Sequence, residues 1–258
     1  MGVVVCRTVH AADGEQLSLY SVTPRSECAG AYGVVVMHGG GGSGNKERNL
    51  PLAKDFAMRG HPAVALDFSG HGESTGELLD LSLKRRRDQA AAVIDAAFDA
   101  ERPLLLAGFS MSGQTVADLV DLYGGRVAAI VLCAPGIYAE DAWDVPFGAG
   151  FTGLIRRPES WRDSRALDTY ARFAGRALLV VPEQDAVIPD GVTGLLRTAL
   201  AVRADFGELR LTGADHRLGT WLAGHFRDRG HIVAASLRNG FRDDDARVRC
   251  TTRDGRCG

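Results

Sequence analysis

Leu104-Leu105-Leu106-Ala107-Gly108-Phe109-Ser110-Met111-Ser112-Gly113 carries an unbroken apolar run into Gly-x-Ser-x-small, and a helix-like segment over 114–122 follows at once. Strand, sharp turn and helix is the context in which Gly-x-Ser-x-Gly forms an elbow that presents a serine as a nucleophile. Such a turn holds the serine backbone in a sparsely populated conformation and lifts its Oγ above the end of a sheet. The residues two before and two after the serine must be small, because strand and helix close on each other there. Gly108 meets that demand fully, whereas Ser112 is small but carries a Cβ and a hydroxyl. A nucleophilic Ser110 implies hydrolysis or acyl transfer and requires a base, an orienting acid and oxyanion donors elsewhere in the chain.

Outward from the elbow, short apolar runs recur over 33–37, 63–66, 104–107, 127–132, 177–181 and 209–211. Helix-length segments over 50–59, 79–100, 112–122, 192–204 and 221–238 separate most of them. Strands apolar on both faces, alternating with helices, predict an α/β fold: a mostly parallel sheet with helices on both faces. Residues 3–10 and 17–23 read instead as an antiparallel hairpin at a sheet edge, turning at Asp13-Gly14. One interval breaks the rhythm. Residues 135–175, rich in Trp, Phe, Tyr and Gly, form a long connection of the kind that serves as a lid or binding insertion.

The 258 residues suffice for one large domain, assigned to 1–240, with the insertion at about 135–175. The stretch 241–258 is charged and Gly/Thr-rich and is read as a disordered tail. A net charge of −2 points to neither nucleic acid nor an anionic membrane as partner. Arg85-Arg86-Arg87 is the one basic run and is read as the solvated face of a helix. No apolar stretch approaches the ~20 residues that cross a bilayer, and the first residues lack a signal-peptide pattern. Five scattered cysteines without metal-ligand spacing suggest reduced thiols and a cytoplasmic setting.

In functional order, an acid is expected beyond a later strand and a histidine beyond the last. Asp185 follows the apolar run 177–181, and His216 follows 209–211, so Ser110, Asp185 and His216 are placed at three strand ends. Taken singly, a serine after a strand is an N-cap, an aspartate in a loop is solvated and a histidine is structural. Together, in this order and at these positions, they read as a nucleophile, acid and base. Glu183 and Asp215 are the rival acids, and Ser112, one turn into the helix, is a poor rival nucleophile.

The oxyanion donors are assigned to the amide of Met111, at the helix start, and to Gly40 in the loop His38-Gly39-Gly40-Gly41-Gly42-Ser43-Gly44, where glycines let backbone amides approach a substrate. A flexible turn is the alternative reading for Gly41 and Gly42. The same loop contains Gly-x-Gly-x-x-Gly, but no acidic residue is found at a strand end about twenty positions on, as a dinucleotide site requires.

His38-Gly39-Gly40, Asn45-Lys46, Asp67-Phe68-Ser69-Gly70-His71-Gly72-Glu73-Ser74, the elbow, Asp185 with Pro189, and Asp215-His216 together resemble the α/β-hydrolase superfamily over about residues 15 to 238. The texture is most similar to bacterial feruloyl/cinnamoyl-type esterases and serine-aminopeptidase-like relatives. The resemblance implies the α/β-hydrolase fold with an eight-stranded sheet, a small cap at 135–175, and packing roles for Asp67 and His71. Ser112 in place of a second elbow glycine, Pro182 in place of a glycine before the acid, and extra glycines in the oxyanion loop depart from the family pattern.

The resulting expectation is a serine hydrolase acting on a small-molecule ester or thioester, without cofactor or metal, with activity rising between about pH 6 and 8. Tyr138, Trp143, Phe147, Phe151 and Trp161 are the candidate lining of an apolar or aromatic acyl pocket, or else pack the insertion onto the core. Arg156 and Arg157 are read as solvated rather than as an anion site. A thioesterase or acyl-transferring cyclase and a non-catalytic binding protein on the same fold are the alternatives, and the sequence leaves a homo-oligomer open.

Overall fold

A computed structural model describes residues 2–25 and 31–237. The tail expected over 241–258, together with Cys28, Cys250 and Cys257, lies outside the described residues. Eight strands form one sheet: β1 (Val3–Ala12), β2 (Glu15–Pro24), β3 (Gly33–Met37), β4 (Ala63–Leu66), β5 (Leu104–Phe109), β6 (Val127–Cys133), β7 (Arg176–Gln184) and β8 (Asp205–Asp215). Their order is β1-β2-β4-β3-β5-β6-β7-β8. β2 pairs antiparallel with β1 and β4, and every pairing from β4 through β8 is parallel.

The hairpin forms where the sequence signals it. Asp13 and Gly14 both take positive φ (54° and 77°), the two-residue turn whose twist matches the strands it joins. In the sheet centre every residue of β3, β4 and β5 is buried. Side chains there alternate between two layers: Val34 and Val36 enter one, Val35 and Met37 the other.

Among the described residues there are eight α-helices: α1 (Lys46–Ala57), α2 (Leu83–Ala97), α3 (Ser112–Tyr123), α4 (Thr152–Ile155), α5 (Ala166–Arg172), α6 (Asp190–Leu200), α7 (Leu218–Gly224) and α8 (Phe226–Leu237). Helices α1, α7 and α8 close one face, through residues such as Phe56, Leu222 and Ile232. Helices α2, α3, α5 and α6 close the other, through Ile94, Leu119, Tyr170 and Leu196. Burying each such side chain is worth about 1.5–3 kcal/mol, so these two layers carry the fold.

Helix ends differ from the sequence expectation where capping decides them. Helix α1 begins at Lys46, before the first apolar residue, because Asn45 Oδ1 accepts the Arg48 amide at 3.2 Å. Helix α2 begins at Leu83 because Ser82 Oγ accepts the Arg85 amide at 3.2 Å. The last expected helix divides at His225, whose backbone (φ −108°, ψ 81°) is not helical. β8 extends well beyond its apolar centre, since the edge of the sheet leaves alternate positions to solvent. No described helix is long and apolar enough to cross a membrane.

Candidate active site

Strand β5 delivers Ser110 to the carboxyl edge of the sheet in the conformation an elbow requires, with φ at +51°. The strain is held by backbone bonds. The Ser110 amide donates to Cys133 O at 2.9 Å, and Ser110 O accepts the amides of Gly113 and Gly136 at 2.8 Å. A Cβ on Gly108 would fall 2.6 Å from Ser112 O, so strand and helix do close there. On the far side the strict requirement falls on Gly113, where a Cβ would meet Pro135 at 2.7 Å and Gly136 O at 2.8 Å. Ser112 fits fully buried because its hydroxyl has a partner, the His38 carbonyl at 2.6 Å. That hydroxyl faces no base.

His216, immediately beyond β8, brings Nε2 to 3.0 Å from Ser110 Oγ. Its Nδ1 lies 3.0 Å from Asp185 Oδ2, in the loop beyond β7. Asp185 Oδ1 accepts the amides of Val187 and Ile188, each at 2.9 Å, which fixes the carboxylate on the side away from the ring. Burial works against its charge, but the hydrogen bonds from His216, Ile188 and Val187 prevail and hold the carboxyl below its usual range. The rival acids are engaged elsewhere: Glu183 accepts the Gly213 amide at 2.7 Å, and Asp215 pairs with Arg217 at 2.9 Å.

The glycine loop turns over a buried histidine. His38 Nε2 accepts the Phe68 amide at 3.2 Å, so the ring proton sits on Nδ1, which donates to Gly39 O at 2.6 Å. Burial, and then the neighbouring Arg86 charge, hold His38 neutral, its pKa well below the ordinary value. In a trans peptide the C=O and N–H point opposite ways. Anchoring Gly39 O on the ring therefore aims the Gly40 N–H away from it. A Cβ on Gly40 would overlap Met111 Sδ at 2.3 Å, and one on Gly39 would lie 3.1 Å from Ser110 Cβ, so this stretch passes directly against the elbow. Among the described residues no acceptor takes the amide of Gly40 or of Met111. A Cβ on Gly44 would lie 2.6 Å from His38 Nδ1, whereas Gly41 has open space around it, consistent with a plain turn there.

Contrary to the sequence reading, an acidic residue does end a strand in the interval that a dinucleotide site would use: Asp67 follows β4. It is fully buried and spent on Lys46, accepting from its amide at 2.6 Å and from Nζ at 2.7 Å. Both Asp67 and His71 are packed inside the fold.

A cavity of about 290 Å³ opens at Ser110. Its walls are the glycine loop, Arg48 and Asn49 of α1, Phe109, Val187, and the first turn of α7. Tyr138, Trp143, Phe147, Phe151 and Trp161 are not among the residues that line this cavity, and their contacts follow the packing alternative that the sequence left open. Phe151 is buried with Leu83 and Ala142, and its ring packs on Phe147 (4.6 Å) and Tyr138 (5.7 Å). Trp143 Nε1 donates to Asp118 Oδ2 at 3.2 Å, and Trp161 covers Gly191 at the start of α6. Aromatic composition signals apolar area to be buried; it does not say against which surface. Arg157 forks onto Asp141 at 2.7 and 2.8 Å, on the surface.

The basic run also needs correction. Arg85 pairs with Asp13 and Arg87 with Asp88, but Arg86 is fully buried beneath the glycine loop. The signal was present: Leu83, Arg86, Ala90, Val93 and Ile94 share one helical face, and that face is buried.

With this geometry in place, the family model of serine aminopeptidase, S33, matches residues 31–173, just over half of the chain. The chain belongs to the S33 serine aminopeptidase family. This S33 member has the α/β-hydrolase fold, an open eight-stranded sheet shared with many solved structures. One is a thioesterase domain from the curacin biosynthetic pathway (TM-score 0.68, 15% identity, 90% of this chain and 99% of that one). Another is Est1E from Butyrivibrio proteoclasticus with ferulic acid bound (0.64, 18%, 88% and 99%). A third is an alpha-beta serine hydrolase homologue from Coxiella burnetii (0.63, 20%, 89% and 96%). At these identities the likeness is one of fold. Among curated proteins none matches the S33 chain.

Proposed function

We propose that this S33-family chain is a serine hydrolase that cleaves a carboxylic ester of a small apolar acyl group through an acyl-enzyme. The observation that carries the reading is the continuous line Ser110 Oγ, His216 Nε2, His216 Nδ1, Asp185 Oδ2, with 3.0 Å at both hydrogen bonds, on an elbow strained to positive φ. His216 Nε2 takes the hydroxyl proton as Oγ bonds to the ester carbonyl carbon. The oxyanion is received by the Gly40 and Met111 amides. Collapse breaks the bond to the leaving alcohol, which takes the proton from His216. Water, deprotonated by the same nitrogen, then adds to the acyl carbonyl, and as the bond to Oγ breaks His216 returns the proton to Oγ and the free acid leaves.

Phe109, Val187 and Leu218 on the cavity wall support an apolar substrate group beside Ser110. Ferulic acid on Est1E makes hydroxycinnamoyl esters a sensible part of the substrate panel, and the curacin thioesterase neighbour makes acyl-thioesters another. The test is a panel of 4-nitrophenyl acyl esters, methyl hydroxycinnamates and acyl-coenzyme A thioesters, assayed on wild type and His216→Ala. The expected result is fastest turnover of short apolar oxygen esters. Turnover confined to thioesters would replace the esterase reading with a thioesterase one, and undiminished turnover in His216→Ala would remove His216 as base.

A further inference from the structure

Two buried cations flank the oxyanion loop, and they are treated oppositely. Lys46 Nζ lies 2.7 Å from both Asp67 and Glu73 and 3.1 Å from Glu47. These carboxylates outweigh the cost of burial and push its pKa up. Arg86 is as deeply buried and has no carboxylate partner among the described residues. Its guanidinium stacks on the Phe68 ring at 3.8 Å, and Nε and Nη1 have no hydrogen-bond partner there. Burial pushes its pKa down to about 9. An uncompensated buried charge of this kind is a poor way to stabilise a fold. Its one polar engagement is therefore informative.

That engagement is with the loop carrying the oxyanion donor. Arg86 Nη2 donates to His38 O at 2.7 Å and to Ser112 Oγ at 2.8 Å, and Ser112 Oγ donates to His38 O at 2.6 Å. The three groups close a triangle joining α2, the first turn of α3 and the strand end that leads into Gly39-Gly40. The loop itself has little to hold it. Beyond the His38 ring and the His71 ring, which faces the Gly40 carbonyl, its internal backbone bond is Gly44 N to Gly41 O at 2.7 Å, and glycines supply no side chains to pack. Its position must be imposed from beneath.

We propose that Arg86, acting through Ser112 and the His38 carbonyl, is the positioning residue of the oxyanion hole, holding Gly40 at a fixed distance from Met111. The proposal rests on the serine-hydrolase reading above. It also explains Ser112. Where a second elbow glycine is usual, a hydroxyl occupies the one spot from which it reaches both the guanidinium and the carbonyl. Two features that the sequence presents separately are thereby one device.

The test uses the full-length protein and four variants: Arg86→Met, Arg86→Lys, Ser112→Ala and the double Arg86→Met/Ser112→Ala. Active sites are counted by stoichiometric fluorophosphonate labelling, and kcat and KM are measured per labelled site on the best 4-nitrophenyl ester. A loop displaced by about an ångström loses on the order of 10²-fold in rate. Arg86→Met is expected to lose about that much in kcat with KM within about threefold, Arg86→Lys to recover part of it, and Ser112→Ala to lose about 3–10-fold. The double variant should be no worse than Arg86→Met, because the groups act as a unit. An unchanged kcat per site in Arg86→Met overturns the proposal while leaving the hydrolase reading intact. Should Arg86→Met fail to fold, an unchanged kcat in Ser112→Ala overturns it equally. A wild type that neither labels nor turns over any ester would instead overturn the hydrolase reading, and the proposal with it.

Discussion

The carboxyl edge of the sheet and the insertion over 135–175 meet at the elbow, yet they are built on different principles. At the sheet edge, polar groups are placed by bonds to backbone: Asp185 on two amides, Ser110 on Cys133, His38 on Gly39. Each position depends on a strand ending where it does. The insertion relies more on apolar contact, with Phe151 buried against Leu83 and Ala142 and its aromatic neighbours packed around it, and adds side-chain ties to α3 such as Trp143 Nε1 on Asp118. A polar group with one permitted geometry suits chemistry; an aromatic cluster tolerates rearrangement and suits attachment. Variants on the two sides should therefore fail differently.

The largest separation is expected from Asp185→Asn. Its amide would donate to His216 Nδ1 and force the ring proton onto Nε2, the atom that must accept from Ser110. A loss of roughly 10⁴ in kcat is expected, with a melting temperature close to wild type. Loss of folding with modest loss of rate would mean that the carboxylate serves the structure.

Phe151→Ala should do the converse. Truncating a buried Phe costs about 3–5 kcal/mol, so the denaturation midpoint should fall markedly while kcat per folded molecule on a small ester stays within about threefold. A large rise in KM would return the insertion aromatics to the substrate pocket.

Asp118 anchors the insertion through Trp143, and burial pushes its carboxyl up to about 6 against the opposing hydrogen bonds from Gln114 and Trp143. Since the folded value lies above the ordinary 3.8, the protonated form favours folding. That stability is fully present below pH 3.8 and is lost as pH rises through 6. The loss is worth at most about 3 kcal/mol. Compared with wild type in denaturant titrations at pH 4 and 7, Asp118→Asn should gain by up to that amount at the higher pH. A difference that does not change with pH would remove the carboxylate from the anchor.

The smallest effect belongs to Arg157 and Asp141, a half-exposed pair on the insertion surface in which Nη2 alone reaches both carboxylate oxygens. Arg157→Ala should cost under about 1 kcal/mol and leave KM for neutral and anionic esters alike unchanged. A selective rise in KM for anionic esters would show that substrate reaches this surface.

The difference between the two regions also marks what was legible in the sequence. Ser110, Asp185 and His216 were readable because strand ends are apolar runs followed by breaks, and the sheet carries those ends to one edge. The approach of Gly40 to Met111 follows from the same logic, since the loop after β3 must face the elbow after β5. The insertion aromatics were not readable, because their spacing follows no sheet or helix period that would assign a face. Arg86 was hidden by its neighbours: within Arg85-Arg86-Arg87 composition suggests solvent, while the buried positions Leu83, Ala90 and Val93 place the middle arginine inward. Asp67 directly follows the apolar run 63–66, and its role in the fold appears once Lys46 is seen beside it. Helix starts at Asn45 and Ser82 are set by caps that precede the apolar pattern.

The central claim is that His216 and Asp185 activate Ser110. Intact mass after treatment with a fluorophosphonate probe tests it most directly, on wild type, Ser110→Ala and His216→Ala. The account predicts one adduct per wild-type molecule and none on either variant within the same time. Labelling that persists in Ser110→Ala, or a wild type that stays unlabelled while folded, would contradict it.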